Sequence, residues 1–317
     1  MRIPVTILTG FLGAGKTTLL NRLMAEPGFG DTAVIVNELG AVDIDGGLVQ
    51  QADGAAFATS TGCLCCTTSG DIRLTLLKLL DDAAQGRGPA FGRVVVETTG
   101  LADPGPVMQT FMTNDIMLGA FSLNAVVTVV DCVHGGETLQ RFAEARRQVG
   151  VADLLVIAKA GLASDAQAMA LRVRLAGANP TARLRMAEEV TVADVFAAGA
   201  AGFALPTGLA GHSGDVRAFA FEASVPIEDR VMQMAIGAMQ QTYGPDLLRL
   251  KAIVALTGLE GAHVFHTVQH LTSPVERLAA WPDGVTGSRL VVIVTGPGAV
   301  HLPGMVQGFM PEFRLVG

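Results

Sequence analysis

The run Thr9-Gly-Phe-Leu-Gly-Ala-Gly-Lys-Thr-Thr18 constrains the fold of this chain more than any other stretch. Gly10, Gly13 and Gly15 let the backbone turn tightly and aim its N–H groups at one anion. Lys16 and Thr17 follow at once, the lysine placed to neutralise β- and γ-phosphates and the hydroxyl to ligate Mg²⁺. The flanks agree with this. Ile3-Pro-Val-Thr-Ile-Leu8 reads as an apolar strand entering the loop, and Thr18-Leu-Leu-Asn-Arg-Leu-Met24 as the helix leaving it, positive end toward the anion. Gly10, Gly13, Ala14, Gly15, Lys16, Thr17 and Thr18 are therefore the expected phosphate-binding residues. A chance glycine-rich turn would lack this order of strand, loop, Lys, Thr and helix.

A phosphate loop needs a parallel sheet to carry it, and the next 150 or so residues supply the pattern. Apolar strands are expected at Val5-Leu8, Thr32-Val36, Arg93-Val96, Ala125-Val130 and Leu154-Ala158. Helices are expected at Lys16-Ala25, Ile72-Ala84, Pro106-Thr113, Leu139-Val149 and Ala166-Ala176. Strands apolar throughout and separated by helices imply an α/β domain whose mostly parallel sheet is covered on both faces. Ligands of such sheets bind at the carboxyl ends of the strands, where Glu97 and Asp131 stand. Leu205-Asp215, rich in Gly, Pro and Ser, reads as a linker between a nucleotide-binding domain over 1–204 and a small α+β domain over 216–317. In the latter, strands are expected at Val216-Val225, Leu248-Leu256, His263-Leu271 and Arg289-Val294. Helices are expected at Ile227-Tyr243 and Pro303-Phe309, the first with Met232, Ala235, Ile236 and Met239 on one face.

Composition limits the function classes. Half of the 317 residues are apolar and 16% charged, which favours a folded core over disorder. The apolar runs are of strand length, too short to cross a bilayer, and the first strand leaves no room for a signal peptide; a cytoplasmic protein without a membrane partner is expected. The net charge of −7 argues against a nucleic-acid surface.

Two further motifs carry chemistry. Glu97-Thr-Thr-Gly100 follows an apolar strand at the interval where nucleotide hydrolases place a carboxylate for Mg²⁺ and a glycine N–H that senses the γ-phosphate. Gly62-Cys-Leu-Cys-Cys66 gathers three of the four cysteines, too clustered for a secreted disulfide framework and suited to a soft or borderline metal. Adjacent Cys65 and Cys66 must sit on a bend to face one ion together with Cys63. A further ligand is therefore expected from elsewhere, and Glu38 in Val36-Asn-Glu-Leu-Gly40 is the candidate. Cys132 stands apart as a buried thiol. Met232, Met234 and Met239 read as core. His266 and His270, placed by their alternation on one face of a strand but far apart, read as structural or surface residues.

Together GFLGAGKTTLLN, VNELG, GCLCC, VVVETTGLADPGPV and VVTVVD resemble the CobW-type family of metal-chaperone GTPases. Leu248-Arg-Leu-Lys251, Val268-Gln-His270, Trp281-Pro-Asp and Ser288-Arg-Leu-Val-Val292 are similar to that family's C-terminal domain. The resemblance implies Mg²⁺-dependent GTP hydrolysis at a low intrinsic rate, coupled to delivery of Zn²⁺ or Co²⁺ to a client metalloprotein. It implies Lys16, Thr17 and Glu97 as the catalytic set, Thr17 and Glu97 at Mg²⁺, and Cys65, Cys66 and Glu38, with Cys63, as transition-metal ligands. Gly100 and Lys159 join the nucleotide set, and Gln148 and Asp153 lead into the base-recognition strand. One departure concerns the base. The family's Asn-Lys-x-Asp is Ala158-Lys159-Ala160-Gly161 here, which removes the acceptor that reads guanine. Losing a charge-assisted bidentate acceptor costs on the order of a few kcal/mol of discrimination, so ATP stands beside GTP as a candidate. The family's Asn before Gly62 is Thr61. The competing readings are a non-catalytic nucleotide- or metal-responsive module with relaxed base specificity, and a kinase, for which no acceptor-site motif is present.

Overall fold

A computed structural model describes residues 2–37, 57–58, 64–68, 71–197, 212–213, 216–282 and 285–316, with the backbone alone at 37, 57–58, 64–68 and 212–213. The first half alternates strand and helix. Its elements are β1 (Ile3–Thr9), α1 (Lys16–Met24), β2 (Thr32–Asn37), β3 (Phe57–Ala58), β4 (Leu64–Thr68), α2 (Ile72–Ala84), β5 (Arg93–Glu97), α3 (Gly105–Thr113) and α4 (Asp115–Ala120). They continue with β6 (Phe121–Asp131), α5 (Gly135–Arg141), α6 (Ala143–Gly150), β7 (Leu154–Ala158), α7 (Asp165–Ala178), β8 (Arg183–Met186) and α8 (Val192–Phe196). The strands form one sheet in the order β3-β4-β2-β5-β1-β6-β7-β8. Every pairing is parallel except β3 with β4. Burial on both faces follows from the unbroken apolar runs. Val5, Ile7, Val94 and Val96 pack under α2 and α3, while Leu8, Val95, Val127 and Val156 pack under α1.

The second half is built differently. β9 (His212–Ser213), β10 (Val216–Ala223), α9 (Asp229–Tyr243), β11 (Leu247–Val254), β12 (Ala262–Val268) and β13 (Leu271–Thr272) come first. β14 (Glu276–Leu278), β15 (Ser288–Thr295), α10 (Leu302–Phe309) and β16 (Arg314–Val316) complete it. The sheet runs β13-β12-β11-β15-β10-β16 and is antiparallel throughout. α9 and α10 cover one face, where Met232, Ile236 and Met239 meet Phe221, Leu250 and Val292.

Several expectations need correction. Leu139-Val149 is two helices, because Phe142 takes extended backbone and lays its ring 4.6 Å from that of Phe11. The strand expected over His263-Leu271 stops at Val268, where Gln269 adopts φ 53 and turns the chain into β13. His270 therefore lies in the turn, not on a strand face with His266. Met234 is 53% exposed on the outer side of α9, not core. Cys132 is buried as expected. The expected linker lies outside the described residues except for His212 and Ser213, which pair with β10.

The two sheets meet through a buried ionic cluster. Asp153, at the entry to β7, accepts from Arg249 Nη2 at 2.8 Å and from Lys251 Nζ with Oδ1, and from the Val126 N–H at 2.8 Å with Oδ2. Burial alone would raise the Asp153 carboxyl; Arg249 and Lys251 outweigh it and hold the group well below the usual carboxylate range. Burial pushes Lys251 down to about 8, with Arg249 adding to the effect and Asp153 opposing it. His266 is the cross-strand neighbour of Lys251 and is pushed down to about 3 by burial and the two cations.

Candidate nucleotide site

β1 ends at Thr9 and delivers the loop to the carboxyl edge of the sheet. Gly10, Gly13 and Gly15 all take positive φ (143, 69 and 101°), as the tight turn demands. At Gly10 no other residue fits, since a Cβ there would lie 2.3 Å from the Val129 carbonyl oxygen. Gly15 caps α1 in the left-handed conformation, so the N–H groups of the first turn, Lys16 to Thr18, face the loop's concavity. The Lys16 ammonium folds back across the loop and donates to Gly10 O at 2.9 Å and Phe11 O at 3.5 Å. Burial lowers its pKa, opposed by the nearby Glu97 carboxylate.

Glu97, at the end of β5, is brought to the same place. Its Oε1 accepts from the Thr17 hydroxyl at 2.8 Å, and the side chain is 4% exposed. Thr98 donates from its N–H to Leu8 O and from its hydroxyl to Thr9, which ties the Glu-Thr-Thr-Gly segment to β1. Gly100 sits where a Cβ would be 2.6 Å from the Leu12 backbone, so that segment touches the phosphate loop directly. An alcohol and a carboxylate 2.8 Å apart beside a phosphate cradle form a hard-oxygen donor pair, the chemistry Mg²⁺ selects. Gln148, beneath them, donates to Gly100 O and Ala102 O and fixes the start of this segment.

Lys159 reaches the site from the end of β7. Its backbone is left-handed (φ 61), and its ammonium spans to Gly13 O at 2.6 Å and Asp131 Oδ2 at 2.8 Å. Burial would raise the Asp131 carboxyl, but the Lys159 bond and the His134 and Val133 N–H groups hold it below its ordinary value. The sequence places Asp131 at a strand end without revealing this bridge. Phosphate-loop, Glu97, Gly100 and Lys159 positions thus converge on one edge.

The expected metal cluster is only partly in view. Glu38 and Cys63 lie outside the described residues, and for Cys65 and Cys66 the backbone alone is described. That backbone is not a bend: both cysteines lie in β4, held there by pairing with Val34 and Ile35 of β2. The described residues contain no group of three His, Cys, Asp or Glu side chains placed to hold a metal. No helix among them is long and apolar enough to cross a membrane.

A phosphate loop on β1, an opposed carboxylate on β5 and a parallel sheet behind them define a P-loop nucleoside-triphosphatase domain, here followed by an antiparallel module. Sequence comparison gives it a narrower place. Residues 4–185 match the CobW/HypB/UreG nucleotide-binding domain, and residues 216–303 the cobalamin synthesis protein cobW C-terminal domain. The chain belongs to the CobW/HypB/UreG family of P-loop GTPases. It is 32% identical over 301 residues to the zinc chaperone YjiA of Escherichia coli K12, covering 92% of this chain and 93% of that protein. It is 34% identical over 189 residues to the zinc-regulated GTPase metalloprotein activator 1 of Schizosaccharomyces pombe, 57% of this chain and 45% of that one. The crystal structure of Zn(II)-bound YjiA GTPase superposes with a TM-score of 0.77 at 31% identity, covering 98% and 99% of the two chains. A Zn(II)-bound triple mutant of YjiA, with one glutamate and two cysteines changed to alanine, gives a TM-score of 0.78 at 30% identity and the same coverage.

Proposed function

We propose that this protein is a Mg²⁺-dependent GTP-hydrolysing metallochaperone whose cargo is zinc, held by Cys65 and Cys66 with Glu38 and Cys63 and passed to a client metalloprotein according to nucleotide state. This ligand set requires β4 to give up its extended backbone at Cys65–Cys66 so that both thiolates meet one ion. The observation that carries the coupling is the strand register. Ile35 of β2 pairs with Cys66 on one side and with Val96, next to Glu97, on the other. Two strand spacings, about 10 Å, thus separate the cysteine backbone from the end of β5. A shift at Glu97 on loss of the γ-phosphate would act on a strand that is hydrogen-bonded to the strand carrying the cysteines.

In this reading the N–H groups of Gly13 to Thr18 and the Lys16 ammonium hold the β- and γ-phosphates, and Lys16 leaves Gly10 O to do so. Thr17 and Glu97 would hold Mg²⁺, which would supply positive charge to stabilise the phosphoryl group being transferred. Gly100 offers its N–H to the γ-phosphate. A water attacks the γ-phosphorus, the bond to the β–γ bridging oxygen breaks, and GDP and phosphate result. No described side chain at this edge has the placement of a strong general base, which fits slow turnover awaiting a partner.

Zinc titration in GDP and in a non-hydrolysable GTP analogue tests the reading. Zinc affinity is expected to differ at least several-fold between the two states, and Cys65→Ser with Cys66→Ser is expected to remove one equivalent of zinc. Stoichiometry must be counted, because the YjiA triple mutant that lacks one glutamate and two cysteines is itself Zn(II)-bound. Identical affinity in both nucleotide states would refute the coupling.

A further inference from the structure

Beside the phosphate loop lies a hollow of about 210 Å³, walled by Gly15 and Thr18 of the loop and α1, Ala158 at the end of β7 and Lys159 after it, and Ala187 and Glu188. It shares Gly15 and Thr18 with the phosphate cradle, so a nucleotide whose phosphates fill the loop can extend its base here. The two alanines and the lysine stem give it apolar walls suited to a purine face. Gly161, where the family carries its base-reading aspartate, contributes no side chain.

One acidic residue borders the hollow, Glu188. The short 3₁₀ turn Ala187–Glu189 that bears it is fastened on one side to α1 and on the other to the residues just after α1. The Arg22 guanidinium donates to Ala187 O at 3.0 Å and to Val190 O, and Glu26 Oε2 accepts from the Val192 N–H at 3.3 Å. Glu188 itself is exposed and makes no hydrogen bond or ion pair with the described residues. Its charge faces the end of the sheet, where with burial and Asp131 it raises the Cys132 thiol.

We propose that Glu188 is the carboxylate that reads the base in this chain, in place of the acceptor absent at Gly161, and that it selects guanine over adenine. The inference rests on the nucleotide reading above. Guanine presents N1–H and an N2 amino N–H side by side, a pair that the two oxygens of one carboxylate accept together. Adenine presents a single amino donor beside the N1 lone pair, which repels the second oxygen. Inosine keeps N1–H and lacks the amino group, so it forms half of the guanine contact.

The test is titration of the full-length chain with GDP, ADP and IDP, for the wild type, Glu188→Ala, and Glu188→Ala with Gly161→Asp. The wild type is expected to prefer GDP over ADP by about tenfold or more, with IDP between them. Glu188→Ala is expected to bring all three within about twofold by weakening GDP, with ADP affinity unchanged as the sign of an intact pocket. A Cβ at Gly161 meets nothing within 4 Å, so the added aspartate is expected to restore the GDP preference. A wild type without preference, or a GDP to ADP ratio unchanged in Glu188→Ala, overturns the assignment of Glu188 and leaves the nucleotide reading standing. Binding of none of the three by the wild type overturns both.

Discussion

Asp153→Asn removes the negative charge that faces Arg249 and Lys251 across the junction of the two sheets. Asparagine has nearly the same shape, so the change removes the charge together with one of the two acceptor oxygens that Arg249, Lys251 and the Val126 N–H use. The carboxylate and both cations are almost fully buried, with side-chain exposures of 3, 7 and 3% for Asp153, Arg249 and Lys251. Breaking a buried pair from one side costs about 3–5 kcal/mol, because the charge left behind keeps its desolvation penalty without compensation. Here two cations are left. The cost is held toward the lower end because Lys251, already down at about 8, sheds its proton once Asp153 is neutral. About 3 kcal/mol at pH 7 is the expected loss. Lys251→Met is the contrast. Asp153 keeps Arg249 and the Val126 N–H, and a side chain whose charged form burial disfavours is gone, so a loss below about 1.5 kcal/mol is expected. Urea unfolding reads both variants. The lone tryptophan, Trp281, packs against the Ile253–Val264 cluster and reports the antiparallel sheet, while circular dichroism reports the whole chain. Since Asp153 belongs to one sheet and both cations to the other, Asp153→Asn should lower the midpoint by both probes. Equal losses in the two variants, or a loss below 1 kcal/mol for Asp153→Asn, would refute the account of the cluster.

Lys251 also gives the stability curve a sign. Its folded pKa, about 8, is below the usual lysine value, so the unfolded chain binds more protons between the two. This group's contribution therefore rises as pH climbs from about 8 to about 10.5, by about 3 kcal/mol. Lys251→Met should lose that alkaline rise relative to the wild type. Gly10→Ala should destabilise the fold by more than about 2 kcal/mol, because its Cβ would collide with Val129 O, whereas Gly161→Ala, with open space at its Cβ, should stay within about 0.5 kcal/mol. Thermal unfolding of the two variants side by side checks this. Lys16→Ala should lower GTP turnover by about 10²-fold or more, read by phosphate release at saturating nucleotide. Retained turnover would remove Lys16 from the catalytic set.

The phosphate loop, the parallel sheet and the Glu97 position were legible because each depends on local order: strand, glycine turn, lysine, helix, and a carboxylate where an apolar run stops. What stayed hidden depends on distant partners. The break at Phe142 has no Gly or Pro to announce it and comes from the ring of Phe11. β8, Arg-Leu-Arg-Met, is an edge strand too polar to stand out beside Leu154–Ala158, which is apolar throughout. Asp153 was legible only as a position leading into the base-recognition strand, and nothing in the sequence showed that its carboxylate pairs with Arg249 and Lys251 of the second sheet. Glu188 gave no signal at all. Its position is defined by Arg22, more than 160 residues earlier, through bonds to backbone carbonyls that no side-chain pattern encodes.

The left-handed backbone at Lys159 has a consequence for how nucleotide affinities are to be read. A lysine at φ 61 costs about 1–2 kcal/mol relative to ordinary backbone. That cost is offset by the bonds from its ammonium to Gly13 O and Asp131. The turn after β7 and the phosphate loop are thereby locked together before any ligand arrives. The entropy of ordering them is spent in folding, not in binding. Differences in affinity between bases therefore measure contact chemistry at the hollow beside Lys159, undiluted by loop closure.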